Sequence, residues 1–233
     1  MGRTVIIGDV HGCARELEAL LGAVGVVRDD AVHFVGDLVA RGPDTRRVLE
    51  IARELGALSV VGNHEQRLLH ARAARARGER GPKLGPSHTL LMRTLTDEEW
   101  AELDAMPLYH DLAPHGVRIV HAGVAPGVPI EQQDPYMLTH IRSLDENGAP
   151  SASLGTVPWG ARYSGPPHVV FGHNAPAKIQ LHDWATGVDS GCVYGGALTA
   201  LVLPPDAPVP PVAERRDCIV SVPAQRVYFS HSG

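Results

Sequence analysis

Short apolar runs that end in glycine and a polar residue recur through the first third of this chain. Three of them, at 4–7, 32–35 and 58–61, lead into the segments GDVHG (8–12), GD (36–37) and GNHE (62–65). Runs rich in β-branched residues and bounded by glycine are typical of buried strands. Apolar residues at helical spacing follow the first two runs, near 14–21 and 48–55. This alternation predicts an α/β fold, in which ligands bind at the carboxyl ends of the strands.

Later apolar runs predict further strands. They lie at 117–120, 168–171 and 197–203, with closing edge strands at 219–222 and 226–229. The first two lead into histidine segments, HAG (121–123) and GH (172–173). The 233 residues fit a single domain, 1–233, long enough to bury a core without disulfides or a structural metal.

The composition narrows the classes of function. The net charge is −5, so a generic nucleic-acid binder or membrane-surface protein is disfavoured. No apolar stretch approaches the roughly 18 residues of a membrane span, which predicts no membrane partner. Cys13, Cys192 and Cys218 are odd in number and far apart. This pattern predicts no disulfide and a reducing, cytoplasmic location.

Seven polar side chains follow the predicted strands beside a glycine. They are Asp9, His11, Asp37, Asn63, His64, His121 and His173. Carboxylates and imidazoles suit Mn²⁺, Fe or Zn²⁺, and two metals can share one carboxylate while they clamp a phosphoryl group. Any one of the Asp or Asn residues alone would be better explained as a helix cap. The whole set favours a metal site.

The five segments GDVHG, GDLVARG (36–42), GNHE, HAG and GH, in this order, resemble the calcineurin-like metallophosphoesterases. The most similar branches are the phosphoprotein phosphatases and the bacterial symmetrical diadenosine tetraphosphatases. The resemblance implies two packed mixed β-sheets flanked by α-helices. It also implies two divalent ions as cofactors, with Mn²⁺ favoured and Fe, Zn²⁺, Co²⁺ or Ni²⁺ as alternatives.

The resemblance assigns a role to each matching residue. Asp9 and His11 match the ligands of the first metal, and Asp37 matches the bridging carboxylate. Asn63, His121 and His173 match the ligands of the second metal. His64 matches the histidine that protonates the leaving oxygen, and Arg41 matches an arginine that holds the substrate phosphate. Imidazole titrates in the range such proton transfer needs, and arginine suits bidentate phosphate contact.

Departures from each branch bear on the substrate. Phosphoprotein phosphatases usually carry an aspartate where this chain has Ala40, so His64 lacks its usual carboxylate partner. The residues 189–201 and 139–142 resemble tetraphosphatase segments, which makes Arg142 a second candidate for phosphate binding. The residues 159–163 resemble smaller bacterial relatives described as protein phosphatases, which adds Arg162. Without the carboxylate, we expect good leaving groups, such as phosphoanhydrides and aryl phosphates, to be preferred.

These features predict hydrolysis of diadenosine tetraphosphate, cut symmetrically into two ADP, with activity on aryl phosphates. A broad-specificity protein phosphatase acting on phosphotyrosine, phosphoserine or phosphothreonine is the alternative. A non-catalytic metal-bearing module is a third hypothesis, disfavoured because every expected ligand type is present. The predicted partner is therefore a dinucleoside polyphosphate or a phosphoprotein. Nucleic acid is disfavoured, capped RNA ends being the one exception.

One stretch, residues 67–93, is strongly basic, and we call it the basic segment. It carries seven basic residues against a single acidic one, Glu79, and several Gly and Pro residues. A solvated helix and loop is the default interpretation of such a charge run. The alternative is an inserted cationic flap that helps to hold a polyphosphate.

Overall fold

Two five-stranded mixed β-sheets form the centre of the computed structural model, which describes residues 2–175 and 179–230. The strands are β1 Thr4–Ile7, β2 Ala31–Phe34, β3 Leu58–Ser59, β4 Tyr109–Leu112, β5 Val117–Val120, β6 Ser143–Leu144, β7 Pro150–Ser151, β8 His168–Phe171, β9 Gln180–Leu181, β10 Ala185–Gly187, β11 Ala197–Leu203 and β12 Ile219–Pro223. The helices are α1 Ala14–Val24, α2 Thr45–Glu54, α3 Asn63–Ala76, α4 Pro86–Thr94, α5 Asp97–Ala105 and α6 Pro135–His140.

The first sheet has the strand order β12-β11-β1-β2-β3, and the second has the order β4-β5-β8-β10-β9. In the first sheet, β1, β2 and β3 run parallel, while β11 pairs antiparallel with both β1 and β12. In the second sheet, β5, β8 and β10 run parallel and the edge strands β4 and β9 are antiparallel. Strands β6 and β7 form a separate two-stranded ladder. The two mixed sheets flanked by helices are the fold class that the resemblance implied.

Alternation along the strands builds one core between the sheets and another under the helices. In β1, the side chain of Ile6 belongs to the cluster with Val170 and Leu201 from both sheets. Its neighbours Val5 and Ile7 face the opposite way, into the cluster that includes Leu17 and Leu20 of α1. Successive strand residues point to opposite faces, so both sides of β1 are covered. This explains why the run is apolar throughout.

Two strand predictions need correction. The third strand ends at Ser59 instead of continuing to Val61, whose backbone N–H donates to the carbonyl of Pro107 outside the ladder. The segment 226–229 is not a strand. The N–H groups of Tyr228 and Phe229 both donate to the carbonyl oxygen of Val193, which bends the chain away from β12.

The basic segment occupies most of α3, the loop 77–85 and most of α4. In α3, Leu68, Ala71 and Ala74 are buried, so one face of this stretch packs on the body of the protein. Among residues 2–175 and 179–230, no helix has both the length and the apolar character needed to cross a membrane.

Candidate metal centre

The carboxyl ends of β1, β2, β3, β5 and β8 come together at one edge of the two sheets. The loops that follow these strands carry the six predicted ligands and Arg41. A small cavity of about 160 Å³ opens there. It is lined by Asp9, His11, Asp37, Arg41, Asn63, Arg142, Leu154, His173, Ala175, Asp189 and Tyr194.

Asp37 lies at the centre of this arrangement. Its Oδ2 atom is 3.4 Å from Nε2 of His11 and 3.5 Å from Nε2 of His121. Its other oxygen, Oδ1, accepts a hydrogen bond of 2.9 Å from the backbone N–H of His64. One carboxylate oxygen therefore faces an imidazole from each sheet, as a bridging ligand would.

The other predicted ligands close in around Asp37. The Oδ1 atom of Asn63 lies 3.1 Å from Nε2 of His121. A ring nitrogen of His173 lies within 4.8 Å of the ligand atoms of Asp37 and His121. The carboxylate of Asp9 accepts the backbone N–H of His173 at 3.1 and 3.2 Å, which ties the end of β1 to the end of β8.

The hydrogen bonds fix which nitrogen of each histidine is available. Nδ1 of His11 lies 3.1 Å from the carbonyl of Val39, and Nδ1 of His121 lies 2.8 Å from the carbonyl of Val35. A carbonyl oxygen only accepts, so both Nδ1 atoms carry the proton and both Nε2 atoms present a lone pair. The Nε2 lone pair of His121 faces oxygens of Asp37 and Asn63 that also only accept. That of His11 faces Asp37 and also accepts a hydrogen bond from the guanidinium of Arg41. Cations between them relieve this repulsion, so the donor set fits divalent metal ions.

The electrostatics of the cluster indicate the same deficit of positive charge. Burial, followed by repulsion from Asp189, raises the pKa of Asp9, and burial raises the pKa of Asp37 to about 7. Burial lowers the pKa of His11 and His173, which keeps both imidazoles neutral. Crowded carboxylates and neutral imidazoles without a cation carry a large desolvation cost, and a bound metal offsets it.

Strained backbone marks the same loops. The residues His11, Asp37, Ala40, Arg41 and His173 all have a positive φ, between 48° and 68°. Residues other than glycine adopt this left-handed region at a cost, and such strain clusters at functional sites. The surrounding structure must therefore hold these loops firmly in place.

Glu65 supplies part of that hold. It is fully buried, and its Oε2 atom accepts the backbone N–H groups of Asp37 and Gly62, each at 3.0 Å. Its Oε1 atom accepts the N–H of Val39 at 3.1 Å. Burial raises the pKa of Glu65 to about 7. The glutamate of the GNHE segment thus fastens the loop after β2 to the start of α3.

Two of the three predicted phosphate-binding arginines line the cavity. Arg41 places Nη1 3.0 Å from Nε2 of His11, and its guanidinium lies 5.3 and 5.4 Å from the ring centres of Tyr194 and Phe229. Nη1 of Arg142 donates to the carbonyl of His173 at 3.0 Å and to Oδ1 of Asn174 at 3.1 Å. Their charges lie beside the carboxylate cluster.

Arg162 is exposed and does not line the cavity. The neighbouring Trp159 fills the core instead, tilted against the ring of Phe171 at 4.7 Å. Its indole N–H donates to the carbonyl of Ala122 at 3.1 Å, directly after His121. The segment 159–163 therefore supports the loop of a predicted ligand from behind.

The structure also adds three residues for which the sequence predicted no role. Asp189 follows β10 and lines the cavity, as does Tyr194. Asp189 repeats the signal of a polar residue after a strand, so it could have been recognised. His88 of α4 stacks on His64 with ring centres 4.9 Å apart. Nothing in the local sequence around His88 indicates this contact.

Curated relatives of similar length match most of the chain. The asymmetrical bis(5'-nucleosyl)-tetraphosphatase PrpE of Geobacillus thermodenitrificans is 32% identical over 85% of this chain and 89% of its own length. The protein of the same name from Oceanobacillus iheyensis is 30% identical, over 85% of this chain and 88% of its own.

Solved structures share the fold. A crystal structure described as a candidate diadenosine tetraphosphatase has 34% identity and a TM-score of 0.81, covering 97% of this chain and 95% of that one. A serine/threonine phosphatase from Saccharomyces cerevisiae has 14% identity and a TM-score of 0.60, covering 99% and 82%. The second match, at this low identity, bears on the fold alone.

The family model of the calcineurin-like phosphoesterases matches residues 2–203, the stretch that contains every cavity-lining residue. Because that match spans most of the chain, the protein belongs to the calcineurin-like phosphoesterase family.

Proposed function

We propose that this protein is a dinuclear-metal hydrolase that cleaves dinucleoside polyphosphates. The observation that carries the proposal is the placement of Asp37, whose Oδ2 atom lies between the lone pairs of His11 and His121. The names of the curated relatives supply the substrate class.

In this proposal, Asp9, His11 and Asp37 hold one ion, and Asp37, Asn63, His121 and His173 hold the other. The mixture of oxygen and imidazole donors suits Mn²⁺, with Fe, Zn²⁺, Co²⁺ and Ni²⁺ as alternatives. When bound, such ions supply positive charge at the phosphoryl group and lower the pKa of a coordinated water.

The chain's own residues complete the reaction. Arg41 and Arg142 are at hand to hold the phosphoryl oxygens, and bidentate contacts from guanidinium groups would orient the scissile bond. His64 is held beside Asp37 by its backbone N–H, and its imidazole would give a proton to the leaving oxygen. A phosphoanhydride leaving group needs that proton less than an alkoxide does, which favours anhydride and aryl substrates.

The second part of the proposal concerns which phosphoanhydride bond of the polyphosphate is cleaved. The sequence predicted a symmetrical cut into two ADP, whereas the curated relatives are named asymmetrical. We propose the asymmetrical cut, which splits diadenosine tetraphosphate into AMP and ATP. The asymmetrical names of these relatives are the support for this choice.

Product analysis tests both parts. Chelator-stripped protein is reloaded with Mn²⁺ and incubated with diadenosine tetraphosphate, nitrophenyl phosphate and a phosphoserine peptide, and the nucleotides are separated by chromatography. We expect AMP and ATP in equal amounts and faster turnover of the dinucleotide than of the peptide. ADP as the sole product would refute the asymmetrical cut. Preference for the peptide would replace the substrate class with that of a protein phosphatase.

A further inference from the structure

A second cluster of metal-binding side chains lies outside the catalytic cavity. It consists of Cys13, Glu16 and Cys192, and we call it the thiol cluster. One donor atom from each residue lies within 4.8 Å of the other two, and all three residues are buried. None of them lines the cavity. We propose that the thiol cluster is a binding site for one thiophilic divalent cation of the zinc class.

The carboxylate of Glu16 gives the first argument. Its Oε1 atom accepts hydrogen bonds from the backbone N–H of Gln225 at 3.0 Å and from the hydroxyl of Tyr228 at 2.8 Å. Its Oε2 atom is fully buried and has no hydrogen-bond partner among the described residues. A buried carboxylate oxygen without a partner is costly, and a cation beside it removes that cost.

The chemistry of the donors gives the second argument. Two thiols and a carboxylate, once deprotonated, form a ligand set that zinc accepts, and thiolates select soft and borderline ions over Mg²⁺ or Ca²⁺. Zinc–sulfur bonds of about 2.3 Å in a tetrahedron place two sulfur atoms about 3.8 Å apart. The ligand atoms of the thiol cluster lie within 4.8 Å of one another. They therefore need to move closer by about 1 Å at most to bind the ion. Binding would release the thiol protons to solvent.

The thiol cluster lies where three segments of the chain meet. Cys13 follows the loop that carries Asp9 and His11, while Cys192 begins the short helix that ends at Tyr194. Glu16, in the first turn of α1, holds the segment around Gln225 and Tyr228. A cation here would join these three segments behind the catalytic cavity. The site does not depend on the proposed reaction.

Cobalt absorption provides the test. Full-length protein is stripped with a chelator, kept reduced and titrated with Co²⁺. Cobalt–thiolate bonds give a near-ultraviolet charge-transfer band, which the imidazole and carboxylate ligands of the catalytic centre do not produce. We expect the intensity of this band to stop rising once one Co²⁺ ion per protein chain is bound by the thiolates. The band should disappear when Zn²⁺ is added.

Three variants locate the band. The double variant Cys13→Ser/Cys192→Ser should abolish it. Glu16→Gln keeps an oxygen that accepts the hydrogen bonds of Gln225 and Tyr228. It should weaken Co²⁺ binding at least about 10-fold, the loss that follows when a metal ligand loses an outer-shell hydrogen-bond partner. Cys218→Ser, the matched control at the half-buried third cysteine, should leave the band unchanged.

The proposal fails if folded wild-type protein with titratable thiols shows no band. It also fails if the band survives in the Cys13→Ser/Cys192→Ser variant. Asp37→Asn should reduce hydrolysis and spare the band, which separates this result from any failure of the proposed function.

Discussion

At the scale of single residues, the proposed metal site centres on Asp37. One of its oxygen atoms faces His11 from the first sheet and His121 from the second. A carboxylate in this position can coordinate two cations at once, which a neutral imidazole with one free lone pair cannot do. The sequence predicted this role because an aspartate after a predicted strand, flanked by matching segments, resembles the family's bridging ligand.

We expect Asp37→Asn to lower kcat/KM for diadenosine tetraphosphate by at least about 10²-fold, the scale of losing one preorganised electrostatic group. Steady-state kinetics at saturating Mn²⁺ measure this, with circular dichroism to verify folding. Asp111→Asn is the matched control, because that carboxylate pairs with Arg118 and does not line the cavity. Near-normal turnover by Asp37→Asn would show that Asp37 is not the shared ligand.

For His64, the sequence predicts which partner is missing but not which residues hold the ring in place. The sequence indicated that Ala40 removes its usual carboxylate partner, and Nδ1 of His64 is indeed buried with no hydrogen-bond partner among the described residues. What holds the ring instead could not be predicted, because it comes from a distant segment. The ring of His88 stacks on it, and the ring of His11 meets it edge-on at 4.8 Å.

At the scale of elements, α4 connects the basic segment to the ring of His64. This helix begins with Pro86 and buries His88 and Leu91. Leu91 anchors it in the core under the helices, and His88 reaches the ring of His64. Burial lowers the pKa of His88 to about 4, so the ring that contacts His64 is neutral.

We expect His88→Ala to lower kcat by roughly tenfold with little change in KM, since a poorly positioned proton donor loses part of its contribution. The loss should be larger for alkyl phosphates than for nitrophenyl phosphate. His88→Phe keeps an aromatic ring and should restore most of the rate. A rise in KM alone, or equal damage in both variants, would speak against a positioning role.

The charges of the basic segment divide into two groups. Arg72 is engaged with Asp104 and lies over the ring of Trp100 at 4.5 Å, and Arg77 pairs with Glu79. Other basic residues, among them Arg75, Arg80 and Arg93, are exposed. These exposed charges are the ones that could attract a polyphosphate before it reaches the cavity.

Neutralising Arg75, Arg80 and Arg93 to Gln should raise KM for diadenosine tetraphosphate severalfold at low salt and leave nitrophenyl phosphate unaffected, because screening weakens long-range attraction. Kinetics at two salt concentrations measure this. Arg28→Gln/Arg216→Gln, at other exposed positions, is the control. Equal changes for both substrates would remove the basic segment from substrate binding.

The strands with the clearest local sequence patterns were predicted best. Runs of β-branched residues that end at glycine, or at histidine in the case of β5, predicted β1, β2, β5 and β8 well. The segment 226–229 is also rich in β-branched and aromatic residues, yet its backbone donates to the carbonyl of Val193 instead of pairing with β12. The short edge strands β4 and β9 carry no clear apolar pattern, because pairing with a neighbour, not burial, defines them.

At the scale of the whole molecule, the proposed metal ligands are divided between the two sheets. The first sheet supplies Asp9, His11, Asp37 and Asn63, and the second supplies His121 and His173. A metal pair in this position would join the two halves of the fold. Metal binding should therefore stabilise the whole domain, since any ligand that binds only the folded state does so.

This stabilisation should increase with pH. In the metal-free protein the pKa of Asp37 is raised to about 7, so Mn²⁺ must displace a proton below that pH. The lowered histidine pKa values keep those ligands neutral across the range. We expect the Mn²⁺-induced rise in Tm to be larger near pH 7.5 than near pH 5.5, with affinity following ligand deprotonation. A rise that is independent of pH, or that persists in Asp37→Asn, would contradict this.

Anomalous scattering from crystals grown with Mn²⁺ would show whether two cations share Asp37. We expect two manganese peaks about 3.5–4 Å apart, one on each side of Oδ2 of Asp37. One peak should contact Asp9 and His11, and the other Asn63, His121 and His173. A single peak, or manganese bound away from Asp37, would mean that Asp37 does not bridge two metal ions.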